Sequence, residues 1–211
     1  MSKSVTNYNR SEFLKSIILG FISGVFLLIV LSSLKNDSEI ASKLSEYKSL
    51  VVLFVCTCLV LWVCGVYLFA SKWSTALQFG KFIAVGQSNA AIDIGVLNLL
   101  ILFTDIDSGI HFSVFKGISF VFAVVNSFLW NKFWSFGSKE KDGMGRQFMK
   151  FIAVALIGLL INVSVASLVV NYIGPQWGLS TRVWANVGVL SSAVFNMIWD
   201  FYGFKVLVFK K

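Results

Sequence analysis

Six apolar stretches, near residues 13–34, 49–70, 82–103, 113–134, 151–172 and 183–204, constrain this chain more than anything else in it. At about 1.5 Å per helical residue, each is long enough to cross the roughly 30 Å of hydrocarbon in a bilayer. In that medium a backbone N–H or C=O finds no water, so a continuous apolar run of this length must satisfy itself as a helix. Composition agrees: 57% of the 211 residues are hydrophobic, 13% are charged, and one is proline. A soluble domain has about a quarter of its residues charged. The expectation is an all-α, multi-pass membrane protein with six transmembrane helices in contact with the lipid bilayer.

Charge sets the orientation. Lys3, Arg10 and Lys15 stand at the start of the first stretch, and Lys72 and Lys81 lie between the second and third. Lys139, Lys141, Arg146 and Lys150 lie between the fourth and fifth, and Lys205, Lys210 and Lys211 follow the sixth. The opposite side holds a balanced stretch from Lys35 to Lys48, then Asp105, Asp107 and His111, then Arg182. The positive-inside rule therefore places both termini in the cytoplasm. This clustering accounts for the net charge of +8, so no nucleic-acid partner is expected. The first stretch is too long for a signal-peptide core and has no small-residue cleavage site before Lys35, so it reads as a retained helix. The Ser-rich segment from Lys35 to Lys48 reads as an external linker, partly helical.

The third and fifth stretches open alike. Gln78-Phe79-Gly80-Lys81-Phe82-Ile83-Ala84-Val85 returns as Gln147-Phe148-Met149-Lys150-Phe151-Ile152-Ala153-Val154, differing only at its third position. The match continues with Asp93 opposite Asn162, Val96 opposite Val165 and Leu99 opposite Leu168. Farther on, Phe128, Lys132 and Phe136 fall opposite Phe201, Lys205 and Phe209. This is the pattern of a duplicated two-helix hairpin in parallel topology, its pseudo-twofold axis along the membrane normal. Residues 77–211 then form a four-helix core and residues 1–76 a two-helix extension. The basic residue between aromatics at each hairpin end has two readings: a lysine snorkelling through an aromatic belt, or a point charge for a headgroup phosphate.

Polar residues inside the stretches mark candidate function. Asp93 lies about 18 Å along its helix from Lys81, near the bilayer centre. An acid there costs about 2.5–3.5 kcal/mol on insertion scales, so it must face protein or water. Gly86, Asn89 and Asp93 recur at helical spacing and predict one seam, the glycine admitting a neighbouring helix and the polar pair pointing inward. Asn126 is placed to meet Asp93 across the bundle. Asn162 is the neutral counterpart of Asp93, and Asn196 and Asp200 share a face one turn apart. The simpler reading of Asp93 is a hydrogen bond to a neighbouring helix. Asp105-Ile106-Asp107, with His111 nearby, resembles a metal-holding acidic pair, but Ser108 and Gly109 beside it favour a solvated turn. Cys56, Cys58 and Cys64 share one apolar stretch without His or carboxylate, where a thiol behaves as a small hydrophobe. No metal or cofactor is expected.

Residues 77–211 resemble the GtrA-like family. The resemblance rests on Phe79 through Gly86 with Asn89 and Asp93, on Asn126 through Phe136, on Phe148 through Asn162, and on Trp199 through Phe209. It implies the four-helix membrane domain of small bacterial flippase-type proteins, also found fused to polyprenol-phosphate mannose synthases. The implied role is translocation of an undecaprenyl-phosphate-linked monosaccharide across the cytoplasmic membrane for glycosylation of cell-surface polymers. On that reading Lys81, Lys132, Lys150 and Lys205 form a basic mouth for the lipid phosphate. Asn89, Asp93, Asn126, Asn162, Asn196 and Asp200 then line the path of the sugar. Six helices leave little room for a catalytic domain, so the chain is not expected to be an enzyme. The alternative is a membrane adaptor that recruits a glycosyltransferase. A four-helix core is small for a complete path, which leads to the expectation of a homodimer or a partner protein.

Overall fold

The computed structural model describes residues 10–33, 46–70, 73–138, 143–178 and 180–210. Most of the linker from Lys35 to Lys48, and Lys3, Lys72, Lys139, Lys141 and Lys211, lie outside the described residues. Those that are described form α1 (Arg10–Ser33), α2 (Lys48–Ala70), α3 (Ser74–Thr104), α4 (Gly109–Trp130), α5 (Met144–Ser167) and α6 (Thr181–Gly203). The last three run on into single π-helical turns, Asn131–Ser135, Leu168–Ile173 and Phe204–Val208. No β-strand occurs among the described residues.

Five of these helices are long and apolar enough to cross a membrane: α1, α2, α3, α4 with its π turn, and α5 with its π turn. The expected sixth span corresponds to α6. That helix has the length, 23 residues, but Asn186, Asn196 and Asp200 leave it less apolar than the others, and it is not among the five.

The helix starts also differ from expectation. α3 begins at Ser74 and α5 at Met144, so Gln78–Lys81 and Gln147–Lys150 are helical turns, not lead-ins. No proline interrupts either one. Gly80 does not break α3, because it is the point of close approach to α2: a Cβ there would lie 2.4 Å from Val66 Cγ1.

The helices gather into two compact units, Met1–Ser135 and Phe136–Lys211. In the first, α1 packs on α2 and α3, and α3 also packs on α4. Leu19, Leu59, Val63, Tyr67, Leu77, Ala84, Val85 and Trp134 form its core. Cys56 donates to the Gly20 carbonyl at 3.1 Å, so this thiol acts in helix packing. In the second unit, α5 packs on α6. Phe151 stacks on Phe204 at 4.2 Å and Phe136 on Phe209 at 5.3 Å, and Trp199 Nε1 donates to the Val154 carbonyl at 3.0 Å. Apolar side chains elsewhere point outward; Phe69 is 88% exposed and Phe103 80%. In water such a surface aggregates, whereas in lipid it is the solvated face.

Candidate functional site

At one end of the first unit the start of α1 meets the end of α2, the start of α3 and the turn after α4. Glu12, in the first turn of α1, holds the centre; a carboxylate is favoured there by the exposed N–H groups of the helix start. Its Oε1 lies 2.8 Å from Lys15 Nζ. Its Oε2 lies 2.8 Å from Lys81 Nζ and accepts from Trp134 Nε1 at 2.7 Å and from the Tyr67 hydroxyl. The Lys81 ammonium also lies 5.1 Å from the Tyr67 ring and 5.5 Å from that of Trp134. The Lys81 and Glu12 side chains are only 11% and 15% exposed. Taking one partner from such a shielded pair strands a charge, at a cost of about 3–5 kcal/mol. Lys81 therefore already holds an anion, supplied by α1.

Deeper in the same unit, Asp93 of α3 is bound from α4 on both oxygens. Oδ2 lies 2.5 Å from Lys116 Nζ, and Oδ1 accepts from the buried Ser119 hydroxyl at 2.7 Å. The expected cross-bundle contact with Asn126 gives way to these two, because Lys116 and Ser119 bring a full charge and a hydroxyl to the same level. Of the predicted seam, Asn89 and Asp93 are half-buried but Gly86 is exposed, and a Cβ on it would meet nothing within 4 Å. Gly86 therefore admits no neighbouring helix. Asn89 Oδ1, Asn126 Nδ2 and Ser88 Oγ are buried with no hydrogen-bond partner among the described residues. Buried polar atoms are ordinarily satisfied, and each exception is costly.

The second unit has its own polar cluster. Asn196 Nδ2 lies 3.4 Å from Asp200 Oδ2, while Asn196 Oδ1 and Asp200 Oδ1 are buried without a partner among the described residues. Both of these oxygens face Gly158 of α5: a Cβ there would lie 2.5 Å from each. Gly158 is what makes room for the two side chains. Asn162 follows it by one turn and is half-buried.

The remaining basic candidates differ in exposure. Lys132 and Lys205 each occupy the second position of a π-helical turn. Their ammonium groups lie 5.8 Å from the Phe133 ring and 5.7 Å from the Phe201 ring. Lys132 is fully buried, Lys205 half-buried and Lys150 exposed. A π turn inserts one residue into the helix ladder, a distortion frequent at functional sites.

Glu12, Tyr67, Lys116, Ser119, Trp134 and Gly158 escaped sequence reasoning. Lys116 carried a readable signal, a cation inside an apolar stretch. Glu12 also did, as the one acid at the basic mouth of the first helix. The Asp105 pair forms a turn: Asp105 adopts a left-handed φ of 55° and closes α3 by donating its N–H to the Ile101 carbonyl. Among the described residues no three His, Cys, Asp or Glu side chains gather as a metal site would require.

Comparison with known proteins covers most of this architecture. A family model described as GtrA/DPMS, transmembrane domain, matches residues 81–209. The uncharacterized membrane protein YngA of Bacillus subtilis (strain 168) is 28% identical over 134 residues, which span 62% of this chain and 78% of YngA. No solved structure matches the chain.

Proposed function

Because the chain belongs to the GtrA/DPMS transmembrane-domain family, we propose that it carries a polyprenyl-phosphate-linked monosaccharide across the bacterial cytoplasmic membrane. Partnerless polar atoms inside apolar helices carry this reading: Asn89 Oδ1 and Asn126 Nδ2 in the first hairpin, Asn196 Oδ1 and Asp200 Oδ1 in the second. A hydroxyl-rich sugar supplies the hydrogen bonds these atoms lack. Lipid cannot, and an unassisted crossing strips the sugar of water at several kcal/mol per unpaired group. With Asp93 in the first unit and Asn162 in the second, these are the polar groups that each unit offers the sugar.

Lys81, Lys132, Lys150 and Lys205 form the mouth on the cytoplasmic side, where the positive-inside pattern puts both termini. An inside-negative potential favours outward movement of the anionic headgroup by about 2.3 kcal/mol per charge per 100 mV. Residues 77–211 act as two copies of one hairpin, with α6 as the sixth span and residues 1–76 as an added pair. A second copy of the chain completes the path that four helices are too few to enclose. In this role the protein is a carrier for a substrate made elsewhere, not an enzyme.

The adaptor reading draws on Arg146 and Lys150, both exposed at the start of α5, as a surface for a glycosyltransferase. Deletion of the gene separates the two. A carrier leaves the lipid-linked sugar to accumulate while the surface polymer loses it. A cell that no longer makes the lipid-linked sugar at all points to the adaptor.

A further inference from the structure

The Glu12 cluster has the chemistry of an occupied oxyanion site. Two ammonium groups, an indole N–H and a phenol converge on a single carboxylate. A phosphodiester also offers two unbridged oxygens with the same appetite for charged donors. Next to this cluster a groove of about 240 Å³ runs between α1 and the end of α4, with Lys15 at its edge and Leu129, Trp130, Phe133 and Trp134 as its walls. Lys15 and Trp134 belong to both the anion cluster and the apolar groove. A head that is anionic and a tail that is apolar are thus provided for side by side.

The repeat supplies a comparison within the chain. Lys150, the counterpart of Lys81, is exposed, and no helix like α1 precedes its hairpin. Glu12 and Tyr67 lie outside the residues that match the family, whereas Lys81 is the first residue of the match. The extension therefore brings its own carboxylate to a lysine of the family domain. Two cations face that one acid, so the cluster remains net positive and still attracts an anion.

Resting on the phosphate-linked lipid of the proposed function, we infer that Glu12 is a resident counter-ion which the lipid phosphate displaces from Lys15 and Lys81, while the groove beside Trp134 receives the first isoprenoid units. The extension is then a gate on the first hairpin. It keeps Lys81 neutralised until a lipid-borne phosphate competes.

The test is equilibrium binding to the purified full-length protein in phosphatidylcholine nanodiscs, with undecaprenyl phosphate as probe and undecaprenol as the uncharged control. Glu12→Gln removes the competitor and should bind undecaprenyl phosphate at least fivefold more tightly than wild type; Lys81→Gln should bind it at least fivefold more weakly. Glu12→Gln with Lys81→Gln leaves the cluster's net charge as in wild type and guards against misfolding; with Lys15 alone left to hold the phosphate, it should bind at least fivefold more weakly than Glu12→Gln. Wild type that prefers undecaprenyl phosphate, with Glu12→Gln no tighter, overturns the displacement and leaves the proposed function standing. Binding by the double variant as tight as by Glu12→Gln overturns it too. Inorganic phosphate competing as well as the lipid does would remove the groove from the site and overturn the lipid assignment. Wild type that binds undecaprenol equally well would overturn the phosphate-lipid substrate itself, and this inference with it.

Discussion

Lys116 Nζ lies 2.5 Å from Asp93 Oδ2, so the acid in the middle of α3 is neutralised by a base on α4. The pair ties the first hairpin together well inside two apolar helices: Lys116 is about 10 Å from the start of α4 and Asp93 about 16 Å from the end of α3. Each charge is tolerated because the other is there.

Single and double substitutions should therefore diverge. Asp93→Leu leaves Lys116 without its counter-ion and should lower the amount of protein in the membrane. Asp93→Leu with Lys116→Met removes both charges, and abundance should return to near wild type, because an apolar pair in place of a half-buried ion pair leaves no charge without its counter-ion. Transport should stay lost in both. Membrane abundance by immunoblot and surface glycosylation, read in parallel, separate the two effects. Asp93→Leu accumulating as well as the double variant would mean that the pair does not hold the hairpin.

Gly158 should resist even one added methyl. A Cβ 2.5 Å from both Asn196 Oδ1 and Asp200 Oδ1 forces side chains or helices apart, and overpacking costs about 1–3 kcal/mol. Gly158→Ala should lower the midpoint of thermal unfolding in detergent, and Asn196→Ala in the same chain should recover part of the loss. An unchanged midpoint in Gly158→Ala would mean that the cluster is loosely packed.

Orientation and the sixth crossing are open to labelling in a background lacking Cys56, Cys58 and Cys64. Cysteines at Ser108 and Gly178 should react from outside, and those at the exposed Arg146 and Lys210 from the cytoplasm. Gly178 and Lys210 reacting from the same side would mean that α6 does not cross.

Periodicity and length made most of the helices legible, because an apolar run of this size has one way to satisfy its backbone in lipid. Their ends were not. Nothing in Gln78–Lys81 or Gln147–Lys150 marks a loop, and a helix continues wherever no proline stops it and a glycine such as Gly80 finds a neighbour. Asp93 could be singled out from its cost alone. That it pairs with Lys116 could not be read, since facing residues on two helices are set by packing and not by spacing along the chain. Glu12 shows the same limit at greater distance: it reaches Trp134, 122 residues away, only once four helix ends converge.

Reconstitution reads the carrier function itself. The purified protein is placed in vesicles whose outer leaflet carries a fluorescent undecaprenyl-phosphate monosaccharide, and arrival in the inner leaflet is followed by protection from a membrane-impermeant quencher. A carrier gives protein-dependent protection at many times the rate of empty vesicles, and Asp93→Leu with Lys116→Met should give a rate near that of empty vesicles. Protection no faster with wild-type protein than without it would contradict the carrier function.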